Sequence, residues 1–248
     1  MKKVFLDTET TANTKNEPVE ISYIVCETYD KEFQKYIKPV ELCMPSAVVV
    51  HGITQDMLDH QGIDIKTNFI ESVKELLDNQ DTYCIIGYNT DFDIEVINSV
   101  CKEYLNVEYK PKHSIDIMKL ARKFIPANEI GGYSLDAVYY YLLPNQLTYL
   151  LKSRSTHSAL VDCRLTKEVF NTIVFKIFGD SNKPLEDIIK FSNEPFILEI
   201  WPFGKHKSKT ISDVYTYDKQ YIQWFMTKCD FRDSWSDLVY TLRTKYGY

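Results

Sequence analysis

The chain opens with an apolar run, Val4-Phe5-Leu6, that ends on Asp7, with Glu9 two residues further and Thr8, Thr10 and Thr11 around them. No other feature constrains the fold as tightly. A β-strand points residues i and i+2 to one face, so a strand here sets Asp7 and Glu9 side by side at the end of an apolar segment. Adjacent carboxylates repel unless something positive lies between them, and clusters of oxygen donors suit Mg²⁺ or Mn²⁺. Two solvated acids at a strand end would look the same in this stretch alone. The reading therefore turns on what the rest of the chain supplies.

It supplies two more acids in comparable settings. The apolar strand in DTYCIIGYN runs into Gly87 and Asn89, and the helical stretch DFDIEVINSVCKEYL follows. Thr90 and Asp93 have the spacing of a capping box, which would give Asp93 only a local role at its own helix start. With Phe92 packed into the core, Asp93 would instead be pinned at the sheet edge. In THSALVDCRLTKEVF, Ser155 or Thr156 can cap a helix whose apolar face is formed by Ala159, Leu160, Leu165 and Val169. Asp162 sits amid that face, where a carboxylate needs a partner, and His157 lies at or before the helix start.

Asp7, Glu9, Asp93, Asp162 and His157, in the ordered stretches FLDTETT, HGIT, GYNTDFD and HSALVD, resemble the His-containing branch of the DEDD (DnaQ-like) superfamily of 3′→5′ exonucleases, over roughly residues 3–178. YSLDAV and SIDIMKLAR resemble its weaker connecting segments. The resemblance implies an α/β, ribonuclease-H-like fold with a mixed five-stranded sheet flanked by helices. It implies two Mg²⁺ (or Mn²⁺) ions held by Asp7, Glu9, Asp93 and Asp162, with Asp7 bridging both. It implies His157 as general base on the attacking water, a task suited to an imidazole whose ordinary pKa is near 6.5. It also implies substrate contacts from Thr10, His51, Ile53 and Asn89, with Ile53 packing on the last base. Two positions depart from the family pattern: Tyr88 stands where the family often has His, and Ala12 where it often has Gly. Neither is a metal ligand.

The strands and helices follow from periodicity. EISYIVCETYD alternates at Ile21, Tyr23 and Val25, and KEFQKYIKP reads as a third strand antiparallel to it, ended by Pro39. Helical segments follow around MPSAVVVHGIT and QDMLDH, and in TNFIESVKELLDNQ. Three early strands and then alternating helix and strand suggest a mixed sheet with helices on its faces. The turn-rich stretch GDSNKPLEDIIKFSNEP marks a boundary. The expected organisation is an exonuclease domain at 1–178, a linker at 179–194 and a small C-terminal domain at 195–248.

Charge and composition narrow the partners. The net charge of −6 is uneven, with residues 195–248 at +2 and the remainder at −8. So acidic a body is unlike a general nucleic-acid binder, though a metal-neutralised site can still meet phosphates. The six cysteines are scattered without a CxxC pair, which argues for free thiols rather than a zinc site or disulfide framework. No apolar stretch approaches the roughly 18 residues of a membrane span, and no secretory leader opens the chain. A soluble, cytoplasmic protein is expected, with no membrane partner.

The tail stretch WPFGKHKSKTISDV, followed by YDKQYIQWFM, resembles a small domain at the C-terminus of exonuclease-X-like proteins and in phage proteins. Lys205, Lys207 and Lys209 alternate, so on a strand they would face one way, either as an edge guard or as a phosphate-binding edge. The combined expectation is a 3′→5′ exonuclease on DNA 3′ ends, with single strands favoured. An exoribonuclease or short-oligonucleotide hydrolase is the alternative, and a non-catalytic nucleic-acid-binding module is a third reading.

Overall fold

The computed structural model describes residues 1–12, 16–146 and 158–248, with the side chains of residues 233 and 234 excepted. The chain divides into two compact units: residues 1–124 with 132–192, and residues 125–131 with 193–248.

The first unit is built on one sheet. Its strands are β1 (Lys2–Thr10), β2 (Pro18–Val25), β3 (Lys31–Lys38), β4 (Ile63–Asp64), β5 (Tyr83–Gly87) and β6 (His113–Asp116), in the spatial order β4-β3-β2-β1-β5-β6. β1 pairs antiparallel with β2 and parallel with β5, and β6 adds parallel to β5. The five expected strands are present, and the two-residue β4 extends the edge parallel to β3. The helices of this unit are α1 (Pro45–His51), α2 (Gln55–Gln61), α3 (Ile70–Asp78), α4 (Thr90–Val100) and α5 (Ile117–Phe124). A four-residue helix, α6 (Ala127–Ile130), falls in the second unit. Among the described residues the first unit also holds α7 (Leu135–Leu142), α8 (Ala159–Phe178) and all but the last residue of α9 (Leu185–Asn193).

The period-2 pattern of the strands decides which helix covers which face. The even positions of β1, Val4 and Leu6, join Ile21, Tyr23 and Val25 of β2 in a core closed by Val73 and Leu76 of α3 and Ile97 and Val100 of α4. The odd positions face the other way, where Phe5 meets Phe170 of α8 edge-on, ring centroids 5.6 Å apart. Asp7 and Glu9 therefore lie on the α8 side of the sheet. Every residue of β2 is buried, as suits a strand covered on both faces.

Residues 179–194, expected as a linker, are not irregular throughout. Pro184 precedes the first turn of α9, where its missing N–H costs nothing and its fixed φ suits the helix. Glu186 and Asp187 occupy the electropositive first turn. Leu185 and Ile188 are buried, so this apolar periodicity outweighs the turn-rich composition around it.

The second unit folds around Trp201. With α10 (Ile211–Tyr217), α11 (Lys219–Lys228) and α12 (Ser236–Tyr246), it packs Ile211, Val214, Ile222, Phe225, Leu238 and Leu242 against the buried indole. The lysine stretch is not a strand. Gly204–His206 is a 3₁₀ turn, Lys207 N–H donates to the Gly204 carbonyl, and Ser208 has φ +70°. An isolated bridge pairs Ile200 with Thr210, flanked by backbone bonds from Trp201 to Lys209, Ser208 to Trp201 and Ile211 to Glu199. Gly204 has φ +62°, and a Cβ there would lie 2.5 Å from the Tyr221 hydroxyl. Glycine is thus required on two counts, backbone conformation and space.

Candidate active site

The site lies at the C-terminal end of β1. Antiparallel register sets Asp7 opposite Ser22 and Glu9 opposite Glu20, so these four side chains share the face that α8 covers. Asp162 comes from the first turn of α8, where its backbone N–H donates to the Ser158 carbonyl at 3.0 Å. One oxygen each from Asp7, Glu9 and Asp162 lies within 4.8 Å of the others. Asp162 is buried, while Asp7 and Glu9 are partly open. A donor set made only of carboxylate oxygens, converging at a partly open point, fits a hard divalent cation.

Asp93 enters differently from either reading offered by its sequence. The cap of α4 is Asn89, in the left-handed region with φ +69° and without a side-chain capping bond. Thr90 does not hold Asp93; its hydroxyl donates to the Ile115 carbonyl at 2.9 Å. Phe92 is not in the core either, being 39% exposed. Asp93 is instead fixed by Thr8, whose backbone N–H and hydroxyl both donate to Oδ1, at 2.9 and 2.7 Å. The residue between the two acids of the first stretch is therefore the clamp on the third.

The electrostatics agree with the crowding. Burial raises the Asp7 carboxyl well above the usual carboxylate range, and the charges of Asp93, Asp162, Glu9 and Glu20 push it further. Burial takes Asp93 up to about 7, against the opposing pull of its bonds from Thr8. Burial disfavours the charged form of both carboxyls, and at Asp7 the neighbouring acids add to it.

The remaining expected residues are distributed around this centre. His157 lies outside the described residues, as do Ser155 and Thr156; the N-cap of α8 among the described residues is Ser158. Thr10 follows a register shift at the end of β1. Thr11 is buried; its N–H donates to the Glu17 carbonyl at 2.9 Å, and its own carbonyl accepts the Met44 N–H at 2.9 Å. That bond ties the end of β1 to the start of α1, which carries His51. His51 is buried, and its Nδ1 accepts the Ile53 N–H at 3.0 Å. Ile53 is 2% exposed and packs with Val19 and Leu58, so its side chain is committed to a small core. Asn89 is exposed, and its N–H donates to Asp116 Oδ1 at 3.1 Å. Tyr88 donates its hydroxyl to the Tyr133 carbonyl at 2.7 Å. Ala12 adopts φ +51°, a left-handed conformation that favours glycine. In the second unit, Lys205 pairs with Asp218 at 2.7 Å and lies over the Tyr221 ring, whereas Lys207 and Lys209 are exposed.

Three participants were not singled out from sequence. Thr8 stands out in the sequence only as one of the threonines around the two acids. Asp116 ends β6 as Asp7 sits near the end of β1, a signal the pattern did offer. Glu20 is 1% exposed; an acid inside a strand covered on both faces was its only mark.

Comparison with known proteins bears on both units. A family model described as Exonuclease matches residues 4–170, and one described as Exodeoxyribonuclease X-like C-terminal matches residues 202–230. The chain is 26% identical over 194 residues to Exodeoxyribonuclease 10 of Escherichia coli (strain K12), covering 78% of this chain and 76% of that protein. It is 31% identical over 176 residues to DNA polymerase III subunit epsilon of Buchnera aphidicola subsp. Baizongia pistaciae, covering 64% and 62%. Among solved structures, Exonuclease X in complex with 5′ overhanging duplex DNA aligns with a TM-score of 0.51 at 20% identity, over 77% of this chain and 99% of that one. Exonuclease I of E. coli in complex with a dA16 oligonucleotide aligns at 0.56 and 18%, over 72% and 41%. These two likenesses show the fold.

Proposed function

The chain belongs to the exonuclease family, and from that premise we propose that it is a metal-dependent 3′→5′ exonuclease that releases nucleoside monophosphates from DNA ends. The observation that carries the reading is the convergence of Asp7, Glu9 and Asp162 within 4.8 Å, with Asp93 clamped by Thr8 beside them. Asp7, Glu9, Asp93 and Asp162 would hold two Mg²⁺ or Mn²⁺ ions, whose charge stabilises the attacking and leaving oxygens of a phosphodiester.

The chain's own residues divide the remaining work. Thr8 orients Asp93, so that its second oxygen is left for the site. The Asp7 and Glu9 pair, set side by side by the strand period, favours a positive charge between its carboxylates. His157 takes the proton from the attacking water, as general base. Thr10 and the segment at His51 and Ile53 meet the terminal nucleotide through backbone or rim atoms, since the Ile53 side chain is buried, and Asn89 adds a polar contact. DNA is favoured over RNA because a relative matched over 76% of its length is named an exodeoxyribonuclease. Residues 1–178 would cut, and residues 195–248 would hold nucleic acid, with the exposed Lys207 and Lys209 offered to phosphates.

The test is incubation of the full chain with 3′- and 5′-labelled DNA and RNA oligomers, in Mg²⁺ and in chelator, beside Asp7→Ala. A ladder shortening from the 3′ end, only with metal, faster on DNA and absent in the variant, is the expected result. Internal cutting, metal-independent cutting or an active Asp7→Ala protein sinks the proposal; faster cutting of RNA transfers it to an oligoribonucleotide substrate.

A further inference from the structure

We propose that Glu20 is a positioning residue of this active site, holding the start of α8, and with it Asp162, against the strand that carries Asp7 and Glu9. The inference rests on the exonuclease reading of the same site.

Glu20 is an unusual residue to find here. It lies on β2 directly opposite Glu9, buried to 1% exposure, on the face that already holds Asp7 and Glu9. A further carboxyl in that place aggravates the repulsion the site must offset; the charge of Glu20 is among those that raise Asp7. No cation pairs with it among the described residues. A position occupied at such electrostatic disadvantage calls for a local task.

The hydrogen bonds identify the task. A single oxygen, Oε1, receives three donors: Ser22 Oγ at 3.0 Å, Gln34 Nε2 at 2.8 Å and Ser158 Oγ at 3.1 Å. Oε2 is buried with no partner. Ser22 belongs to β2 and Gln34 to β3, so two donors fix the carboxyl to the sheet. The third reaches across to α8. Ser158 is the N-cap of α8 and has extended backbone angles, φ −125° and ψ 130°. A serine there ordinarily accepts a backbone N–H of its own first turn. This one makes no such bond and donates to Glu20 instead. The helix gives up its own cap for a tie to the sheet.

That tie lands where it matters for the reaction. The Ser158 carbonyl accepts the Asp162 N–H at 3.0 Å, so Glu20 and Ser158 link β2 by hydrogen bonds to the backbone of Asp162, the residue that carries one of the clustered carboxylates. The tether thus governs the approach of Asp162 to Asp7 and Glu9. Carboxylate geometry tolerates little slack, since a displacement near 1 Å can cost about 10²-fold in rate.

The test compares Glu20→Ala, Glu20→Gln, Ser158→Ala and the Glu20→Ala/Ser158→Ala double variant with the wild-type full chain, on a 3′-labelled DNA oligomer in Mg²⁺. Glu20→Ala is expected to lower kcat by about 10²-fold with KM within about twofold, because the tether sets chemistry rather than substrate contact. Glu20→Gln keeps an oxygen for Ser158 and should recover most of kcat. Ser158→Ala should lose kcat in the same way, and the double variant should be no slower than the slower single, as expected for two ends of one interaction. A Glu20→Ala protein as fast as wild type, a Glu20→Gln protein as slow as Glu20→Ala, or losses that multiply in the double variant overturn the inference. Should Glu20→Ala fail to fold, by circular dichroism, Ser158→Ala decides: a kcat within twofold of wild type rejects the tether. A wild-type chain that removes no nucleotide from the 3′ end rejects the exonuclease reading itself, an outcome distinct from all of these.

Discussion

Replacing Asp93 by Asn tests the electrostatic account of the site directly. The substitution removes one buried charge and keeps an oxygen to accept the two bonds from Thr8. Burial moves the Asp93 carboxyl from its ordinary 3.8 to about 7 in the folded protein. Because the folded value lies above the unfolded one, the folded chain retains a proton that the unfolded chain releases near pH 4. The associated stability is complete below about pH 4 and is lost as the pH rises through about 7. Separating the two values by this amount corresponds to about 4 kcal/mol, at 1.36 kcal/mol for each tenfold change in proton affinity. About 3 kcal/mol of that falls between pH 5 and pH 8. For a domain of this size, 1 kcal/mol moves Tm by roughly 2–4 °C, so the expected change is roughly 10 °C. The assay is thermal melting in chelator, across that pH range, of wild type and Asp93→Asn. The variant should gain on the wild type steadily as pH rises, and Mg²⁺ should raise the wild-type Tm more than the variant's. Melting curves that run parallel from pH 5 to pH 8 would refute the claim that this buried carboxyl is held at a disadvantage.

His157→Ala should slow cleavage by about 10²–10⁴-fold, the worth of a general base, while the Mg²⁺-induced rise in Tm stays as in wild type; loss of that rise would make His157 a ligand instead. Ala12→Gly should stabilise the chain by about 0.5–1 kcal/mol, read from chemical denaturation, because Ala12 sits at φ +51° where a side chain is strained; a destabilised variant contradicts the assignment. Neutralising Lys207 and Lys209 in an Asp7→Ala background should flatten the log–log salt dependence of single-stranded DNA binding by about 1.4, at roughly 0.7 for each phosphate contact. Lys205→Ala should leave that slope unchanged and lower Tm, since Lys205 is taken up by Asp218; the reverse pattern would return Lys205 to the phosphates.

How far the sequence could be read depended on whether a residue's task was local or distant. The strand with Asp7 and Glu9 on one face follows from a period of two, and the five main strands followed from the same alternation. The two-residue β4 has no period to detect, and it exists only because Ile63 meets Ile37 across the sheet edge. Asp93 was placed at the sheet edge for the wrong reason. T-x-x-D is a local pattern, and the actual partner, Thr8, lies 85 residues away. The lysine alternation failed for a related reason. Period-two spacing carries meaning only on a strand, and Gly204, at φ +62°, turns the chain into a 3₁₀ loop before the second lysine. Lys205 then finds Asp218, a pairing set by the start of α11 and invisible from the motif.

Glu20 marks the boundary of what a single chain's pattern can convey. In sequence it begins an alternating strand, and acids at strand ends are commonplace. Only the register, Glu9 opposite Glu20, reveals that it faces a cluster already burdened with like charge. A core built for stability alone would place an apolar residue there, where β2 is buried from end to end. The physical contrast is with Thr8, whose hydroxyl offsets the charge of Asp93 and so both orients and stabilises. Glu20 is relieved on one side only: Ser22, Gln34 and Ser158 donate to one oxygen, and the other is buried bare. Under the proposed metal-dependent reading such repulsion is tolerable, because binding that favours the folded form adds stability in proportion to the logarithm of ligand over Kd. The same charges that weaken the metal-free fold then strengthen the hold on metal. Asp93→Asn and Glu20→Ala should accordingly separate the two effects: the first changes how the metal-free chain melts with pH, and the second changes how fast the metal-loaded chain cuts.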